Sequence, residues 1–136
     1  MSASRRRRLG SDRLVPAACA LGGALLAAIG LRYFLLPRSA ALTLGVVDPP
    51  QGYELHYVVG LRNVWLSLLA IGFAALRQWH ALTLWLALGT VVCFGDAAIA
   101  ATSSGKPGPV AFHLGCGVIC FGLALVLGRR QRQGRP

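Results

Sequence analysis

Four ionisable residues interrupt segments of the sequence that are otherwise apolar: Arg32, Arg62, Asp96 and His113. In a membrane such residues usually face the interior of a helix bundle and pair with one another, because an isolated charge in hydrocarbon is costly. A guanidinium can hold a carboxylate through two parallel hydrogen bonds and stays charged in a dry site. We therefore predict an ion pair between Arg62 and Asp96, extended by Arg32 and His113 into one buried polar cluster.

These four residues lie in four different apolar segments, but their depths in the membrane are similar, which indicates that they share one layer of the bundle. At a rise of 1.5 Å per residue, Arg62 lies about 9 Å and Asp96 about 8 Å below the outer boundary of a 30 Å core. His113 lies about 5 Å deep and Arg32 about 3 Å deep by the same count. Two interpretations remain open. The cluster binds a small or lipidic ligand, or it only fixes helix register, with Arg32 extending its charged group to the interface.

A second set of residues has donor atoms that suit soft metal ions. His113, Cys116 and Cys120 follow one another at i, i+3 and i+7, and Cys93 lies in the preceding apolar segment. Imidazole and thiolate ligands are typical of copper(I), zinc and haem sites. The spacing matches no standard metal motif, and cysteine is also a common small packing residue. We predict no metal and no other cofactor, and keep His113, Cys116 and Cys120 as the alternative metal site.

No catalytic triad or nucleophile-elbow motif is present, so we predict no catalytic residues. Two classes of function stay open. The first is a non-enzymatic membrane protein whose polar cluster binds a small or lipidic ligand or supports docking to a membrane complex. The alternative is an intramembrane enzyme, or a redox or metal-binding subunit, that uses His113 and the membrane cysteines.

Four long apolar segments must position these residues. The 136-residue chain is 55% hydrophobic and only 13% charged, whereas soluble domains carry about 25% charged residues. The apolar segments cover residues 14–36, 57–76, 81–101 and 110–128, and about 20 such residues span a bilayer as a helix. The sequence predicts an all-α integral membrane four-helix bundle over residues 14–128, with basic tails at 1–13 and 129–136. We also expect a short interfacial helix near residues 39–47.

The distribution of basic residues predicts the orientation of the bundle. The net charge is +10, and the two tails with the second connection hold ten basic residues, against one each in the first and third connections. The positive-inside rule then places both termini in the cytoplasm, and we predict a multi-pass protein of the bacterial inner (plasma) membrane. No nucleic-acid motif accompanies the charge. The expected partners are membrane lipids, together with another membrane protein or a second copy of the chain.

Short motifs in this sequence resemble a known family. They are Gly30-Leu31-Arg32 with Pro37, then Gly45, Gly60-Leu61-Arg62-Asn63, Asp96 and His113. Over residues 20–128 the chain resembles the DUF4267 family of small bacterial and fungal membrane proteins. Many relatives look to have Asp at the position of Asn63 and Gly at that of Ser67. The resemblance implies four spans and no established activity, and the architecture looks distantly similar to DoxX-like membrane proteins.

Overall fold

Helices account for most of the chain that the computed structural model describes, which is residues 3–134, with side chains from residue 14 onward. Four of the helices are long and apolar enough to cross a membrane, and these spans confirm the predicted all-α architecture. The five helices of the described chain are α1 (Ala3–Leu35), α2 (Pro37–Leu44), α3 (Glu54–Ala75), α4 (Trp79–Ser103) and α5 (Pro107–Arg132).

Several helices extend beyond the apolar segments that predicted them. Helix α5 begins at Pro107, whose ring suits the first turn of a helix. It continues through Arg129, Arg130 and Arg132, since basic side chains interact favourably with the carbonyl end of a helix. Helix α1 likewise begins at Ala3, inside the segment predicted as a basic tail.

The short helix α2 begins at Pro37, two residues before the expected start at residue 39. Pro37 occupies its first turn, and Gly45 ends it with a left-handed φ of 106°. A Cβ atom at Gly45 would lie 2.8 Å from the Cβ of Ala100. The end of α2 is therefore packed closely against α4, and glycine satisfies both the backbone angle and the space.

The bundle is built from two antiparallel helix pairs, α1 with α3 and α4 with α5. In the first pair Gly30 lies against Gly60, whereas Gly23 lies against Ile71. In the second pair Gly117 lies against Phe94, and Gln131 donates a hydrogen bond to the hydroxyl of Thr83. The backbones of α3 and α4 approach each other at fewer points. The two pairs meet through a buried core of side chains from all four spans, among them Val15, Ala74, Leu82 and Leu127.

Helices α1 and α3 cross at two glycines. A Cβ atom on Gly30 would lie 2.9 Å from the carbonyl oxygen of Gly60, and one on Gly60 would lie 3.0 Å from that of Gly30. Each glycine is followed by Leu-Arg, which places Arg32 and Arg62 about 3 Å from the crossing along their own helices. Because the helices are antiparallel, Arg32 lies toward the α2 end of the bundle and Arg62 lies toward the end that holds the chain termini.

Candidate functional site

A cavity of about 290 Å³ lies between the two helix pairs, and all five helices contribute to its wall. We call it the central cavity. Its polar lining residues are Arg62, Asn63, Trp85, Asp96 and His113. The structure thus brings together three of the four residues of the predicted cluster, from α3, α4 and α5.

Arg62 and Asp96 share the wall of this cavity without forming an ion pair. Arg62 is exposed and Asp96 is half-buried, and neither side chain has a hydrogen-bond or ion-pair partner in the described part of the chain. The predicted direct contact is therefore not found. The backbones of α3 and α4 approach each other less closely than each approaches its own partner, α1 or α5.

Two further polar side chains on the wall have unused hydrogen-bonding capacity. Asn63 is only 6% exposed, and within residues 14–134 its amide makes no hydrogen bond. The indole Nε1 of Trp85 is buried and also lacks a partner in the structure as described. Leaving a fully buried donor unpaired costs about 1–3 kcal/mol, and this cost applies to the indole nitrogen of Trp85. The central cavity thus combines one cation, one anion, an amide and an indole N–H, all available to a bound molecule.

His113 has a structural partner. It is buried, and its Nε2–H donates a hydrogen bond of 3.3 Å to the carbonyl oxygen of Leu44. This bond joins α5 to the end of α2, and in the neutral ring it leaves Nδ1 as an acceptor. His113 therefore both lines the cavity and fixes the position of α2.

Arg32 belongs to a different cavity. One of its terminal nitrogens donates hydrogen bonds of 3.0 Å to the hydroxyls of Ser39 and Thr43. It lines a cavity of about 430 Å³ at the α2 end of the bundle, which we call the α2-end cavity. The two cavities have four lining residues in common: Leu25, Ile29, Leu44 and Phe112. The predicted cluster is thus divided between two neighbouring cavities.

The cysteines contribute to the wall of the central cavity, but they do not form a metal site with His113. Cys93, Cys116 and Cys120 line this cavity, and all are free thiols. The thiols of Cys93 and Cys120 contact each other across the α4–α5 interface, while His113 is bound to Leu44. Over the described residues no group of three His, Cys, Asp or Glu side chains converges in a metal-binding arrangement. The alternative site at His113, Cys116 and Cys120 therefore has no support from the geometry.

Sequence reasoning missed four polar side chains that line the cavities: Tyr33, Thr43, Asn63 and Trp85. A signal was available for two of them. Tyr33 and Asn63 each directly follow the arginine of a Gly-Leu-Arg motif. Each also lies three residues after the glycine at the helix crossing, and residues at i and i+3 lie on the same face of a helix. Trp85 has no comparable signal, since an indole is common in apolar segments.

Together these features define a small four-span helical membrane protein with a largely apolar cavity between two helix pairs, which a few polar side chains also line. The family model of a domain of unknown function (DUF4267) matches residues 23–127. The chain therefore belongs to the DUF4267 family, as the sequence motifs predict. No curated protein and no solved structure matches the chain significantly.

Proposed function

We propose that the protein binds a small amphipathic or lipidic molecule in the central cavity. One observation supports this proposal above all: polar groups of three helices line one interhelical cavity, and four of these side chains have no hydrogen-bond partner within the described residues. Binding sites typically combine a mostly apolar wall with a few convergent polar groups. The remaining wall here is largely apolar, with residues such as Leu26, Leu66 and Val92.

The polar groups restrict the chemistry of the ligand. Arg62 and the indole N–H of Trp85 require an acceptor, whereas Asp96 requires a donor or a cation. The amide of Asn63 can serve as either. A matching molecule therefore has a compact polar group that both donates and accepts hydrogen bonds, attached to an apolar body.

Filling the cavity tests the proposal directly. Gly89 lines the central cavity, and a Cβ atom there would meet nothing within 4 Å. We expect Gly89→Leu to project into this space and to lower the amount of co-purifying ligand at least about tenfold, because lost contacts of a few kcal/mol correspond to such a factor. Mass spectrometry of small molecules retained by protein purified in mild detergent measures the effect.

Gly95→Leu is the matched control. Gly95 lies on the same helix, also with open space around its Cβ position, but on the wall of neither cavity. This variant should retain the ligand at the level of the original protein. Equal retention by both leucine variants, or a wild-type protein that carries only bulk lipid in membrane proportions, would show that the central cavity binds nothing selectively.

We further propose that the protein lies in the inner membrane with both termini in the cytoplasm. The excess of basic residues in the tails and in the connection between α3 and α4 supports this orientation. A C-terminal fusion to a reporter that is active only in the cytoplasm should therefore be active, and a periplasmic reporter at the same position should be silent. The reverse pattern would contradict the orientation without affecting the cavity proposals.

A further inference from the structure

The α2-end cavity differs in charge from the central cavity. Arg32 is the one charged residue on its described wall, and no Asp or Glu accompanies it there. Its other lining residues are mostly apolar, including Leu25, Ile29 and Phe112. A cationic group beside an apolar wall matches an anion that carries an apolar tail.

The guanidinium of Arg32 is held in place by helix α2. One terminal nitrogen donates to both Ser39 and Thr43, and the hydroxyl of Thr43 in turn donates to the carbonyl oxygen of Ser39 at 2.8 Å. A guanidinium has five N–H donors on three nitrogens. The Nε–H and the N–H groups of the other terminal nitrogen remain as single donors to an oxyanion.

Tyr33 adds a hydroxyl donor to the same cavity. It is only 3% exposed and lines the cavity, and its hydroxyl forms no hydrogen bond with any residue that the structure describes. The hydroxyl is not one of the fully buried polar atoms, and it lies near Arg62 and Asp96 as well as Arg32. Tyr33 therefore has a free O–H on the wall that Arg32 also lines.

The first turn of α5 lies on this wall as well, through Gly108 and Pro109. No side chain caps this helix N-terminus. The partial positive charge of a helix N-terminus favours anions. Because Pro107 and Pro109 have no N–H and Val110 donates to the carbonyl oxygen of Lys106, the N–H of Gly108 is the donor that this turn offers. The N-terminus of α5 therefore favours an anion in this cavity, as Arg32 does.

We propose that the α2-end cavity binds the anionic headgroup of a lipid, with the guanidinium of Arg32 and the hydroxyl of Tyr33 donating to its oxyanion and the tail lying along Leu25, Ile29 and Phe112. The chemistry recognised is a phosphate or carboxylate attached to an apolar chain. This site adjoins the ligand site proposed for the central cavity and shares Leu25, Ile29 and Phe112 with it. The two sites differ in the charged groups that recognise the ligand, which are Arg32 here and Arg62 with Asp96 in the central cavity.

Lipid-dependent stability tests the proposal. The purified full-length protein is transferred into micelles that contain either phosphatidylglycerol or phosphatidylcholine, and a third sample receives inorganic phosphate in phosphatidylcholine. Native mass spectrometry measures bound lipid, and thermal unfolding measures the stabilisation. We expect phosphatidylglycerol to bind and to raise the Tm, and the other two samples to show neither effect.

Three variants identify the binding groups. Arg32→Gln should weaken phosphatidylglycerol binding about tenfold, as loss of a charge-assisted hydrogen bond does. Tyr33→Phe should weaken it severalfold while leaving the contacts of Arg32 with α2 intact. Arg38→Gln is the matched control, because Arg38 lies nearby on α2 but binds Gln51 and the Tyr53 ring instead of lining the cavity. Its binding should be unchanged.

Three results would overturn the proposal. Equal losses in Arg32→Gln and Arg38→Gln would indicate general surface charge, and stabilisation by inorganic phosphate equal to that by phosphatidylglycerol would indicate a small-anion site. Unchanged phosphatidylglycerol binding by Tyr33→Phe would show that the Tyr33 hydroxyl does not donate to the headgroup. This variant also tests the proposal if Arg32→Gln does not fold. Gly89→Leu should leave phosphatidylglycerol binding intact, which separates failure here from failure of the central-cavity proposal.

Discussion

Replacing Gly30 with valine is expected to force α1 and α3 apart and to lower the stability of the protein by about 3 kcal/mol or more. A Cβ atom at this position would lie 2.9 Å from the carbonyl oxygen of Gly60, from the nitrogen of Val64 and from its side chain. Two of these three atoms belong to the backbone, so no side-chain rotation can relieve the overlap. Thermal or denaturant unfolding of the protein in detergent measures the loss.

Gly22→Val provides the matched control on the same helix. A Cβ atom at Gly22 would meet nothing within 4 Å, so the valine there should change stability by less than about 1 kcal/mol. If the two valine variants unfold alike, the close crossing at Gly30 and Gly60 is not a feature of the folded protein.

The second large effect is expected on replacing Asp96, which should raise the stability of the protein and abolish its ligand binding. The half-buried carboxylate has no hydrogen-bond or ion-pair partner among the described residues, and an unpaired charge within a membrane span is costly. We therefore expect Asp96→Asn to raise stability by about 1–3 kcal/mol, and at the same time to abolish retention of the central-cavity ligand. Arg62→Gln should act in the same sense. Unfolding curves and mass spectrometry on the same preparations measure the two effects.

Asp48→Asn is the control, because Asp48 is exposed in the connection between α2 and α3. It should alter neither property. A strong loss of stability in Asp96→Asn and in Arg62→Gln, partly recovered in the double variant, would instead indicate the direct ion pair that the sequence predicted. Ligand retention by both single variants would remove Asp96 and Arg62 from the binding site.

The spans could be predicted from sequence because a run of about 20 apolar residues, as a helix, matches the thickness of the hydrocarbon core, and the chain has four such runs. Counting along each helix also gave the axial positions of Arg62 and Asp96, and both line one cavity. It could not give their lateral separation. That distance depends on which helices pack tightly, and here α3 pairs with α1, and α4 pairs with α5.

The same limit explains the outcome for Arg32 and for the metal alternative. Helical spacing places His113, Cys116 and Cys120 near one face, but it does not show that the His113 ring binds the Leu44 carbonyl or that Cys120 contacts Cys93. Likewise, depth alone placed Arg32 with the cluster, whereas the hydroxyls of α2 hold it in the neighbouring cavity. Tertiary partners of a side chain cannot be read from periodicity.

The pairing of the helices also has a consequence for biosynthesis. Each tightly packed pair consists of spans that follow one another in the chain, α1 and α3 first, then α4 and α5. A nascent chain can therefore complete its first hairpin in the membrane before the second has emerged from the ribosome. The central cavity comes into existence only when the second hairpin arrives, because its wall needs both halves. A hydrophobic molecule already bound to the first hairpin would be enclosed during synthesis, so that loading and folding become a single event.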